Sequence, residues 1–171
     1  MLQAGGCPAL IRLLSIPHPS AQDAAIFTTA SLVKWNLAAV QRSFACFRGV
    51  CVLLDSIWQQ HYLGLLPPRL LQQSVALICK ILPSKPHTQV RETADTFGLR
   101  AQVLESRGIH LLVELCLDDS AAIYQPAVAA LHHLTLTERG FMGILMQATQ
   151  DARLLAAVAA GLSSKASWSA T

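Results

Sequence analysis

The sequence predicts an all-α protein built from stacked helical repeats, and three observations carry that prediction. The first is internal self-similarity. Laid without a gap so that Gly108 falls on Gly6, Leu104 meets Leu2, Leu112 meets Leu10, Leu115 meets Leu13, Ala127 meets Ala25 and Leu134 meets Leu32. Val113 then meets Ile11 and Val128 meets Ile26. A long internal period marks a chain whose units bury their apolar faces on one another. The second is helical spacing: Val75, Ile78, Cys79 and Leu82 repeat the i, i+3, i+4, i+7 stripe of Ala127, Ala130, Leu131 and Leu134. The third is punctuation. Pro17 and Pro19, Pro67-Pro68, and Pro83 with Pro86 fall between these stripes, where a helix cannot continue. The 171 residues match about four units of roughly 40–47 residues.

In chain order, residues 2–15 read as a helix, with Pro8 in its first turn and Leu10, Leu13 and Leu14 at helical spacing. The run Ile16-Pro17-His18-Pro19 stops it, and Ser20 is placed to cap the next helix, about 21–39. Its expected buried face is Ala25, Thr28 and Leu32. A second unit starts near Gln41. Arg42–Phe47 reads as a short first helix, Gly49 takes the place of Gly6, and Val50–Gln60 follows with Leu53, Leu54 and Ile57 inward. The break around Gly64 and Pro67-Pro68 leads to a third helix, 69–82, with Trp58 expected to pack beneath that break. After the polar stretch Pro83-Ser84-Lys85-Pro86-His87, Thr88 is placed to cap a helix over 89–97, which Gly98 weakens before it resumes to Ser106. Gly108–Leu117 and Ala121–Leu136 complete the third unit, with Asp118-Asp119-Ser120 as the turn and the acidic pair where the helix dipole favours it. Phe141–Gln147 and Asp151–Leu162 belong to a fourth. The units are thus about 1–40, 41–83, 88–137 and 138–162, and 163–171 reads as a fraying tail. The array is expected to be incomplete at both ends. Leu10, Leu13 and Leu14 at one end and Leu154, Leu155 and Val158 at the other are expected to be partly uncovered, which favours self-association.

Composition narrows the function classes. Hydrophobic residues are 53% and charged ones 13%, at a mean hydropathy of +0.42; soluble domains carry about 25% charged residues. That shortfall suits a slice of a longer array, acting in cis inside a larger protein. The net charge of +3 is scattered and forms no basic run, so nucleic acid is not an expected partner. No apolar run approaches the roughly 18–20 residues of a membrane span, and the start carries no charged leader of the secretory kind. Five cysteines, an odd number with no Cys-x-x-Cys pair, fit a reduced cytoplasmic setting, with the nucleus also open.

The Gly-bounded helix Leu2-Gln3-Ala4-Gly5-Gly6-Cys7-Pro8-Ala9-Leu10-Ile11-Arg12-Leu13-Leu14, its second copy Glu105–Leu115, and Ala127-Val128-Ala129-Ala130-Leu131-His132-His133-Leu134 resemble the second and third helices of armadillo repeats. The resemblance covers most of residues 2–162. It implies a right-handed superhelical α-solenoid of about three to four three-helix repeats, whose third helices line a concave groove. Armadillo importers and adhesion-type members hold an extended peptide with an Asn late in the third helix. Here the matching positions are Ser31, Ile81 and His133, and the companion Trp position holds Phe27, Leu77 and Ala129. The peptide-clamping ladder is absent, which turns the expectation from nuclear-import cargo to a looser protein-interaction role. Similar degenerate tails occur on Fused-like kinases and Hsp70 co-factors, so a regulatory segment of a larger enzyme such as a protein kinase is the alternative.

The expected role is a non-catalytic protein–protein interaction scaffold, with no cofactor and no metal. Helix phase nominates Phe27, Ser31, Lys34, Lys80, Gln125 and His133 as groove positions, and Lys34-Trp35-Asn36 as a contact point. His132-His133 near Cys116 is not expected to bind metal, because neighbours on a helix point about 100° apart and no third ligand stands at zinc spacing. Cys46 and Cys51 are expected to be buried thiols.

Overall fold

The computed structural model describes residues 6–83 and 94–150, and these form eight helices with no strand among them. They are α1 (Gly6–Leu14), α2 (Pro19–Cys46), α3 (Gly49–Tyr62), α4 (Pro68–Ile81), α5 (Ala94–Glu105), α6 (Gly108–Cys116), α7 (Ala121–Thr135) and α8 (Glu138–Gln150). The expected helix over 151–162, the Thr88 cap and the tail lie outside the described residues.

The prolines act as the sequence implies. α2 begins with Pro19 at its first position, capped by the extended backbone of His18 rather than by Ser20. Pro fits there because the N–H it lacks would be unpaired anyway. α4 begins in the same way at Pro68, after Gly64 takes a left-handed φ of 64°.

α2 departs most from expectation. It runs through the expected boundary near Gln41 and is broken instead at Asn36 (φ −154°, ψ 79°). Asn36 Oδ1 accepts a 3.0 Å hydrogen bond from the Ala39 N–H, so Asn36 is the N-cap of the second half of α2. The buried stripe before the break is Gln22, Ala25, Ile26 and Thr29; Thr28 is exposed, and both threonine hydroxyls donate back to the carbonyl one turn earlier. α5 runs unbroken through Gly98.

Three rows of touching helices can be traced, with α1 on α2, α6 on α7 and other pairs packed across them. α1 touches α3, and α3 touches α6; α2 touches α4, and α4 touches α7; α2 also touches α5, and α5 touches α8. One continuous core threads them, with Phe44, Leu53, Leu54, Ile57, Ile78 and Leu112 at 2% exposure or less. Each such side chain contributes about 1.5–3 kcal/mol relative to exposure. Gly49 and Gly108, the first residues of α3 and α6, show why those positions stay small. A Cβ on Gly49 would lie 2.6 Å from Phe44 Cδ1, and one on Gly108 would lie 2.7 Å from Leu54 Cδ1 and 2.9 Å from the Val103 carbonyl.

Buried glutamines stitch the rows together. α2 and α3 meet at 74° across Phe47-Arg48, with Arg48 in a left-handed conformation (φ 52°). The bend leaves backbone groups without helical partners. Gln102 of α5 satisfies them: its amide donates to the Phe44 and Ala45 carbonyls (3.1 and 3.0 Å), and its Oε1 accepts from the Val50 N–H (3.1 Å). Gln22 Nε2 donates to Leu14 O (3.2 Å) and Ser56 Oγ (2.7 Å), while Gln60 Nε2 donates to Gln22 Oε1 (2.8 Å), joining α1, α2 and α3.

Of the residues expected to be uncovered at the first end, Leu14 is in fact buried, because α2 and α3 close over α1; Leu10 is half-buried and Leu13 exposed. Leu154, Leu155 and Val158 lie outside the described residues. Among the described residues no single helix is long and apolar enough to cross a membrane.

Candidate functional site

The candidate face follows the row α2–α4–α7. Before the break in α2, helical phase places Phe27, Ser31, Lys34 and Trp35 on one stripe, opposite to the buried Ala25, Ile26 and Thr29. Phe27 is 67% exposed and Trp35 is 88% exposed. A stripe facing water would ordinarily carry polar side chains. Ser31 is half-buried and its hydroxyl donates to Phe27 O at 3.0 Å, so it is engaged by its own helix. Lys34 is exposed. Lys80 lies exposed on α4, and Gln125 exposed on α7. His133 is half-buried and His132 exposed, their rings 6.3 Å apart.

All six nominated residues therefore sit on three helices that touch in succession. Two positions taken from the armadillo pattern behave otherwise. Leu77 and Ile81 are buried at 1% and 0% exposure. In α4 the stripe Val75, Ile78 and Leu82 is buried together with Leu77 and Ile81, so this central helix is covered on more than one side. Arg69, exposed in the first turn of α4, belongs to the same row and was not singled out by phase.

A second cluster joins α3 to α6. Trp58 faces α6 as well as the end of α3. Its ring packs 4.2 Å from Tyr62 and 5.5 Å from His110, and the Arg107 guanidinium lies 5.6 Å from its centroid. The Tyr62 hydroxyl donates to the Glu114 carboxylate (2.7 Å), which also lies 3.4 Å from His110 Nε2. Partial desolvation, and after it the Glu114 carboxylate, raise the Tyr62 phenol to about 12. His110 and Glu114 at i, i+4 were readable as neighbours. Their partners on α3 come from about fifty positions earlier, and nothing local signals them.

Beside this cluster a cleft of about 680 Å3 is lined by Arg48, Cys51, Asp55, Trp58, Glu105 and Arg107, among others. Arg48 pairs with Glu105 at 3.4 Å and reaches Cys51 Sγ at 3.5 Å. Burial pushes the Cys51 thiol up, against the opposing pull of Arg48. The thiol donates to the Gln102 carbonyl at 3.5 Å, and no histidine is among the described residues that line the cleft. Desolvation raises Cys79, and raises Cys116 to about 12. Cys46, expected to be buried, is exposed because it falls at the end of α2, on the side away from Val40 and Phe44. Among the described residues no group of three His, Cys, Asp or Glu is placed to hold a metal ion.

Comparison with protein-family models, with curated proteins and with solved structures finds no match for this chain. The function is therefore read from the geometry of the chain itself.

Proposed function

We propose that this chain is a non-catalytic protein-binding scaffold, an α-solenoid of armadillo-like three-helix units that receives another protein along the α2–α4–α7 row. The break at Asn36 divides the first unit from the second. In that reading the first helices are the second half of α2, α5 and α8, the second helices are α1, α3 and α6, and the third helices are the first half of α2, α4 and α7. Stacking of like helices on like is what a solenoid requires. The observation that carries the binding role is the pair Phe27 and Trp35, at 67% and 88% exposure on the side of α2 opposite its core stripe. Large aromatics with that exposure are the residue types that anchor protein interfaces. All five cysteines are free thiols, which suits a reducing compartment such as the cytoplasm.

The test is position-specific crosslinking. A photoreactive phenylalanine analogue placed at Phe27 is expected to capture a partner in cells, and the same analogue at the exposed Arg12 of α1 is not. Equal capture from both positions, or capture from Arg12 alone, refutes the assignment of the face.

A further inference from the structure

The charges of the described helices differ between the row α1, α3, α6 and the row of third helices. In the row α1, α3 and α6 they are Arg12, Asp55 and Glu114. In the row of third helices the cations are Lys34, Arg69 and Lys80, and Asp23, half-buried near the start of α2, is the one carboxylate among its described residues. Arg42 follows the Asn36 break and belongs to the next helix. Among the described residues none of Lys34, Arg69 and Lys80 is in an ion pair with a carboxylate, whereas Arg48, at the cleft, is tied to Glu105.

Arg69 carries a second signal. It stands in the first turn of α4, where the helix dipole favours an acid, and α4 has no acid there. A cation kept at that position opposes local helix stability. Exposed Phe27 and Trp35 thus share α2 with exposed Lys34, and the neighbouring α4 carries exposed Arg69 and Lys80.

We propose that this face takes an acidic amphipathic segment of a partner protein. Carboxylates of the segment meet Lys34, Arg69 and Lys80, and its large apolar side chains cover Phe27 and Trp35. The proposal rests on the reading of this face as a binding surface and names the chemistry of its partner. Charge complementarity decides the occupant. A basic segment would bring like charges together. A second copy meeting the same face through a two-fold axis would oppose these cations with themselves. Packed helix axes lie about 8–10 Å apart, so three in succession span roughly 20 Å, which an extended segment covers in about six residues at about 3.3 Å each.

The experiment uses the full chain and fluorescent synthetic peptides of about ten residues, in which the even positions carry Leu and Phe together with Glu, with Gln or with Lys, and Ser fills the odd positions. Fluorescence anisotropy is expected to show binding of the Glu peptide that weakens as salt rises. The variant Lys34→Glu/Arg69→Glu/Lys80→Glu is expected to lose that affinity by about ten-fold or more and to gain affinity for the Lys peptide. Arg69→Glu alone is expected to keep or raise the unfolding midpoint while weakening binding, which separates lost binding from lost fold. Phe27→Ala/Trp35→Ala is expected to weaken the Glu peptide as well.

Equal binding of the Glu, Gln and Lys peptides overturns the acidic class. If the aromatic variant then still weakens binding, the binding-surface reading stands without it; if neither variant matters, both fall. Flotation with phosphatidylserine vesicles that exceeds peptide binding and disappears in the triple variant overturns the proposal in favour of an anionic lipid surface. A dimer in sedimentation that Phe27→Ala/Trp35→Ala dissolves overturns it in favour of a second copy.

Discussion

Gln102→Ala tests the bend between α2 and α3 most directly. The side chain is 4% exposed and makes three hydrogen bonds to backbone, to Phe44 O, Ala45 O and Val50 N–H. Each is worth about 1 kcal/mol net, and a donor left buried without a partner costs about 1–3 kcal/mol. Val50 is fully buried, so water does not reach its N–H freely. The expected loss is about 3–4 kcal/mol. At about 2–4 °C per kcal/mol for a chain of this size, the thermal midpoint falls by roughly 6–16 °C. Urea unfolding followed by circular dichroism measures it, with Gln59→Ala on the exposed side of α3 expected within about 0.5 kcal/mol of wild type. Gln102→Glu adds a sign. A buried carboxylate facing two carbonyls has its folded pKa raised above the unfolded value of about 4.3. That variant is least stable at neutral pH and recovers relative to wild type as pH falls toward about 4. A Gln102→Ala loss under about 1 kcal/mol, or a Gln102→Glu variant indifferent to pH, would show that these bonds do not hold the bend.

Two glycines in neighbouring helices are expected to respond in opposite directions to alanine. At Gly98 the new Cβ meets Ala45 Cβ at an ordinary 3.6 Å, so Gly98→Ala stabilises by about 0.5–1 kcal/mol, whereas Gly108→Ala strikes Leu54 and the Val103 backbone and destabilises by about 1–3 kcal/mol in the same urea assay. Ultraviolet titration of Tyr62 is expected to reach its midpoint near 12, and Glu114→Gln to lower it. The folded pKa is raised, so the stability this contact provides is intact below the unfolded value of about 10 and is lost as pH rises through about 12. Iodoacetamide at neutral pH is expected to label exposed Cys46 first and Cys116 slowly, and a fast phase that survives Cys46→Ser contradicts this. α8 leaves Phe141, Met142, Leu145 and Met146 exposed, so the chain is expected to self-associate at high concentration and Leu145→Gln/Met146→Gln to reduce its light scattering; a wild type that stays monomeric counts against it.

What could be read from sequence was whatever local chemistry dictates. The prolines at 17, 19, 67 and 68 marked real breaks, the stripe of α7 is buried as its spacing implied, and Gly49 and Gly108 are crowded in the same way. The Asn36 break was hidden because no Gly or Pro stands there; a side-chain cap does the work of a loop. The inward face of α2 was displaced because Gln22 and Thr29 are buried, and a polar residue satisfied by its own hydrogen bonds looks like a surface residue in a one-dimensional pattern. Gln60 and Gln102 escaped for the same reason. On the candidate face, helix phase located exposed Phe27, Lys34, Lys80 and Gln125, since exposure on an amphipathic helix is a local property. Leu77 and Ile81, at the armadillo ladder positions, are buried because α2 and α7 close around α4, a relation between distant segments that no local pattern carries.

The Asn36 break has a mechanical consequence. Where helices are joined by a loop, slack in the loop absorbs small rotations of one against the other. Here the residue before the break is Trp35, and the residues after it lead within a few positions to Val40 and Phe44 in the core. One pair of backbone angles and one 3.0 Å side-chain bond set the angle between the two halves. A weight hung on Trp35 therefore acts as a lever with a short, stiff fulcrum. Torque applied at the surface reaches Phe44, and through its carbonyl the Gln102 amide, without a loose joint in between.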